Sequence, residues 1–213
     1  MKKELNHQYS SREERLNVLT HAFGLLLSVI ALPFLLMKSF NYDGVWKPLS
    51  LVIYGLSLII LYSASTFYHA AKDATRRRKL NIFDHAAIYI LIAGTYTPYT
   101  IIVLDGTLGW VIFGLTWIFA FIGVILKLFY TGKFDKLSTV MYVLMGWQIV
   151  FAIKPLLDSF SSEGLQLLFA GGVFYTIGAL LYSIKKLQYN HAIFHVFVVL
   201  GSLCHFISIY YYI

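Results

Sequence analysis

Seven long apolar runs follow one another along this chain, each closed by a short polar or basic segment. They fall at about 17–37, 48–69, 83–104, 108–129, 138–157, 164–184 and 191–212, close to the ~20 residues a helix needs to cross a bilayer. The breaks carry turn or charge signals: NYDG at 41–44, DG at 105–106, TGKFDK at 131–136 and SSEG at 161–164. The runs are too long and too continuously apolar for barrel strands, which alternate. In lipid each must satisfy its own backbone, so each is expected to be a helix. The pattern predicts an all-α, seven-helix transmembrane domain over 17–213, after a polar tail at 1–16.

Composition agrees. Of the 213 residues 59% are hydrophobic and only 13% charged, against about 25% in soluble domains. The single cysteine, Cys204, excludes an intramolecular disulfide. A net charge of +7 could suit nucleic acid, but the basic residues sit in short connections between apolar runs. They suit anionic headgroups instead, so membrane lipids are the expected partners and nucleic acid is not. Residues 1–15 mix both signs ahead of a long run, and no cleavable signal peptide is expected.

Lysine and arginine set the expected orientation. Lys2, Lys3, Arg12, Arg15, Lys72, Arg76, Arg77, Arg78, Lys79, Lys127, Lys133, Lys136, Lys185 and Lys186 share one face, leaving Lys38, Lys47 and Lys154 on the other. The N-terminus is therefore expected in the cytoplasm and the C-terminus outside. Tyr210, Tyr211 and Tyr212 then suit the outer interfacial belt.

Ionisable residues in membrane helices are costly and mark function by default. His69 closes the second run, Asp84 opens the third, and His191 and His195 open the seventh, all at the basic face. His191 and His195 are four residues apart, which sets both rings on one helical face about 6 Å apart along the axis. Ser65 stands in the same relation to His69. Three imidazoles with an open position form the ligand set of a catalytic zinc, and nitrogen ligands favour zinc over iron or manganese. Asp84 can orient a ligand or act as general base, towards a water that a metal acidifies to a pKa of about 7. Ordinary roles compete at each position: interfacial histidines, an Asp84 that caps a helix, or one that pairs with Arg76–Arg78.

The remaining candidates rank lower. His21 could reach the site but is expected to hydrogen-bond a neighbouring helix. His205, ten residues beyond His195, lies about 15 Å deeper and is expected in packing or on a cavity wall. His85 is expected to be interfacial, and His7 to lie in the solvated tail. GTYTP at 94–98 reads as a structural kink, and the RRRK run at 76–79 as a topology and headgroup signal.

The order S-x-x-x-H, Asp, H-x-x-x-H on seven spans resembles the bacterial hemolysin III family, within the progestin and adipoQ receptor superfamily. NVLTHAFG, SASTFYH, DHAAIYILIAGTYTP and HAIFHVFVVLGSLCHF carry the resemblance, which covers nearly the whole chain. It implies zinc held by His69, His191 and His195, supported by Asp84 and Ser65. It also implies hydrolysis of a lipid amide, as in the related alkaline ceramidases, or, by the family name, pore formation and lysis of red cells. Hormone recognition by the animal receptors is not carried over.

Three functions compete on the sequence. The leading one is a zinc-dependent hydrolase of acyl-lipid amides or esters, with Asp84 and Ser65 as catalytic residues. A pore-forming cytolysin is weaker, because no run shows a stripe of pore-lining charge. A lipid sensor with structural zinc is the third, although a structural site usually has four protein ligands. A retinal protein is excluded, since the seventh run contains no lysine.

Overall fold

The fold is seen in a computed structural model that describes residues 9–131 and 134–213. His7, Lys2, Lys3 and Lys133 fall outside that range. Among the described residues, seven helical stretches are long and apolar enough to cross a membrane. The helices are α1 (Ser11–Ser39), α2 (Trp46–Ala70), α3 (Ala74–Pro98), α4 (Gly106–Tyr130), α5 (Asp135–Trp147), α6 (Ile153–Ser159), α7 (Ser162–Ser183) and α8 (Asn190–Tyr212). A π segment, Tyr99–Val103, extends α3, and a 3-10 segment, Gln148–Ala152, joins α5 to α6. The expected run at 138–157 is thus one crossing with a break in its middle.

Two helices start earlier than their apolar runs. α1 begins at Ser11, where the Ser10 hydroxyl accepts from the Glu13 amide at 3.2 Å. α3 begins at Ala74 rather than at 83, because Asp73 caps it by accepting from the Arg76 amide at 2.7 Å. A capped start compensates for basic residues in a first turn, where the helix dipole disfavours them. The RRRK segment is therefore helix, and Asp84 is interior to α3 rather than its cap.

α1 packs on α2 and α8, α2 on α3, α3 on α5, α5 on α7, and α7 on α8, which closes a ring. α4 packs against α3 from outside. The ring encloses a cavity of about 1490 Å³, its open mouth included, with walls from α1, α2, α3, α5, α7 and α8. Gly109 sets the approach of α4, since a Cβ there would overlap the Thr100 carbonyl oxygen. At the end of α8, Lys38 donates to the Tyr210 carbonyl at 2.7 Å and Tyr42 donates to the Ile213 carbonyl. These bonds satisfy carbonyls that a helix end otherwise leaves unpaired.

Candidate metal centre

His69 sits in the last turn of α2, and His191 and His195 in the first two turns of α8. Their ligand atoms all lie within 4.8 Å of one another, and all three residues are buried. The sharp entry to α8 helps set this register. Tyr189 adopts a left-handed backbone at φ 58°, and the Asn190 amide donates to the Tyr182 carbonyl at 2.8 Å and to the Ile184 carbonyl at 3.3 Å. The end of α7 is thereby tied to the start of α8.

Outer partners prepare the rings for a cation. His69 Nδ1 lies 2.7 Å from Glu14 Oε2, so it carries the proton and leaves the Nε2 lone pair free. The Asn17 amide nitrogen lies 3.4 Å from the same His69 nitrogen but does not donate to it, since that nitrogen already carries the proton held by Glu14. His195 Nδ1 lies 3.3 Å from both the Asn17 carbonyl and the Thr20 hydroxyl, which frees its Nε2 in the same way. His191 Nε2 faces His69 Nε2 at 3.0 Å. Hydrogen-bonded imidazoles of this kind recur in metal sites, where the outer partner fixes ring orientation and basicity. The donor set fits a metal ion, and the three histidines could hold one.

Glu14 is itself held by Arg77, which forms an ion pair with its other oxygen. The Arg77 guanidinium also lies 4.6 Å from the Tyr68 ring and donates to the carbonyls of Tyr68, His69 and Ala71 at 3.3–3.5 Å. Arg77 thus ties α3 to the end of α2 and to α1, a structural role that a headgroup signal does not describe. Tyr9 stacks on His191 at 4.8 Å, and burial, followed by the neighbouring Tyr182, pushes its hydroxyl well above the ordinary tyrosine range. Replacing Glu14 with glutamine should weaken metal binding about 10–100-fold, the usual cost of losing an outer partner. Competition with a chelating dye measures it.

Asp84 and Ser65 line the cavity beside His191 and His195. Asp84 is 8% exposed and stands outside the ligand group, with its carboxylate 3.9 Å from His85 Nδ1. The Ser65 hydroxyl is buried without a hydrogen-bond partner. His85 lines the cavity rather than only an interface, and its Nδ1 lies 2.8 Å from the Asn81 carbonyl. His21 corrects the expectation of a helix-to-helix hydrogen bond. Its ring stacks on His195 at 3.5 Å, and neither of its nitrogens has a partner. His205 lines the cavity further from the cluster. Glu14, Asn17 and Tyr9 were missed by the sequence reasoning, although the S-x-x-E spacing of Ser10 and Glu13 signals a helix start there.

Comparison with known proteins places this geometry in a family. The chain is 42% identical over 204 residues to the hemolysin-3 homolog of Bacillus subtilis (strain 168), covering 96% of each chain. It is 40% identical over 202 residues to hemolysin-3 of Bacillus cereus, covering 95% of this chain and 92% of the relative. A more distant relative is the human monocyte to macrophage differentiation factor, 28% identical over 207 residues, with 94% of this chain and 84% of the relative covered. The family description "Haemolysin-III related" matches residues 9–206, and the chain belongs to that family of multi-pass membrane proteins.

Proposed function

We propose that the chain is a zinc-dependent hydrolase of acyl-lipid amides or esters, acting at the cytoplasmic face of a bacterial cytoplasmic membrane. The observation that carries this reading is a three-histidine cluster, two of whose members, His191 and His195, line a largely apolar cavity that also presents Asp84 and Ser65. Three protein ligands leave the open position of a catalytic site. Zinc bound there supplies a Lewis acid that polarises a carbonyl and acidifies nearby water.

The chain's own residues do the rest. Glu14 and the Asn17 carbonyl hold His69 and His195 in their ligating tautomers. The apolar walls, among them Ile88, Leu91, Ile92 and Val198, receive the acyl chain and exclude bulk water. Asp84 takes the proton of the attacking water and returns it to the departing amine or alcohol. Ser65 turns its free hydroxyl to that water or to the carbonyl oxygen, and His21, stacked on His195, offers ring nitrogens without hydrogen-bond partners to the headgroup. The orientation follows the distribution of lysine and arginine, which puts the cluster at the inner leaflet.

The names of the two bacterial relatives bring a pore to mind. Against it, the described cavity wall carries one carboxylate and no lysine or arginine, unlike the charged rings of ion pathways. Zinc-loaded protein in dye-filled vesicles containing acyl-lipid amides tests both readings at once. Fatty-acid release that stops on chelation, without dye leakage, is expected. Leakage that persists after removal of all three histidines, with no release, would favour the pore.

A further inference from the structure

Further unsatisfied polar groups line the cavity away from the cluster, on Thr95, Tyr99 and His205. Thr95 comes eleven residues after Asp84 on α3, and His205 ten residues after His195 on α8, so each stands about 15 Å further along its helix. Both line the cavity, at 5% and 6% exposure. Thr97, Thr100, Thr116 and Thr176 return their hydroxyls to the carbonyl four residues back, at 2.7–3.0 Å. Thr95 does not, and its hydroxyl has no partner.

His205 is locked in one tautomer. Its Nε2 lies 3.0 Å from the Leu168 carbonyl and donates to it, so Nδ1 holds a lone pair, buried and unpartnered. The ring fits against Gly171, where a Cβ would overlap it. The neighbouring Tyr175 hydroxyl is already engaged by Ser202 at 2.9 Å. A buried acceptor and a buried hydroxyl without partners are costly and call for a bound group.

We infer that the far end of the cavity is a hydroxyl-binding pocket, so that the ligand is an acyl lipid with a hydroxylated chain. A hydroxyl donates to His205 Nδ1 and accepts from Thr95, whereas a carboxylate cannot donate and an ammonium cannot accept. With the acyl carbonyl at the cluster, the span of about 15 Å puts the hydroxyl near the fourteenth carbon, taking ~3.3–3.6 Å for every three bonds of an extended chain. The inference rests on the hydrolase reading for the position of the head.

The test uses the full-length, zinc-loaded protein in detergent with two probes. They are stearoyl ethanolamide and its analogue hydroxylated at about the fourteenth carbon. Wild type should bind the hydroxylated probe about tenfold more tightly, the gain expected of one or two net hydrogen bonds. Thr95→Val and His205→Phe should each bring the ratio of the two affinities towards one. Thr95→Val keeps the side-chain shape and decides the matter alone if His205→Phe does not fold. A ratio near one in wild type would overturn the pocket and leave it a place for water. Fatty-acid release from the same samples separates the two proposals. Release without preference removes the pocket and keeps the hydrolase, and preference without release does the reverse. Binding of neither probe removes both.

Discussion

Zinc in the purified protein should fall from about one ion per chain, the content of a three-ligand site, to a trace when His191 is replaced by alanine. The substitution removes one of three buried imidazoles and leaves the Nε2 of His69 without its neighbour at 3.0 Å. Affinity should drop by more than about a hundredfold, beyond what loss of an outer partner costs. An ion held by the three histidines would join α2 to α8, so stability should follow. Zinc at about 100 times its dissociation constant stabilises a folded protein by about 2.7 kcal/mol. Added zinc should therefore raise the melting temperature of the wild type and leave that of His191→Ala unmoved. Elemental analysis and thermal unfolding with and without chelator measure the two effects. Equal, low zinc in both proteins would remove the site.

Asp84→Asn should have the opposite profile, with zinc retained and turnover lost. The Asp84 carboxylate stands apart from the ligand group but on the same cavity wall. An asparagine keeps the shape and gives up the base. General acid–base catalysis contributes about 10²–10⁴-fold, and a loss of that size in fatty-acid release is expected at unchanged zinc content. A parallel loss of zinc would make Asp84 a ligand and point to a closed, structural site. Comparing the lipids of cells that carry wild-type or Asp84→Asn protein would also identify the substrate, as the species that accumulates with the variant.

The seven crossings were legible because hydropathy reports what lipid demands of a helix, whatever its neighbours are. Helix starts were less legible. The run from Arg76 to Lys79 hid nine residues of α3 from a hydropathy reading, and only the cap at Asp73 betrays them. The convergence of His69, His191 and His195 could be read because each lies at the end of its run on the same basic face. The outer partners could not. Glu14 and Asn17 belong to a segment that reads as a polar tail merging into an apolar run, and their meaning depends on α1 packing beside α2 and α8. Arg77 looked like three neighbouring cations until the fold singled it out to pair with Glu14. The place of α4 outside the ring leaves no mark on its sequence, since a helix facing lipid and one facing a bundle are both apolar. His21 shows the limit of single-residue reasoning. Its depth was legible, but its stacking on His195 depends on how α1 is rotated.

Anomalous diffraction from zinc-loaded crystals, collected on both sides of the zinc edge, tests the metal centre most directly. One peak is expected, within about 2.0–2.1 Å of the Nε2 atoms of His69, His191 and His195, with Glu14 on the far side of His69. A peak elsewhere, or rings at those three positions turned away from a common point, would contradict the account.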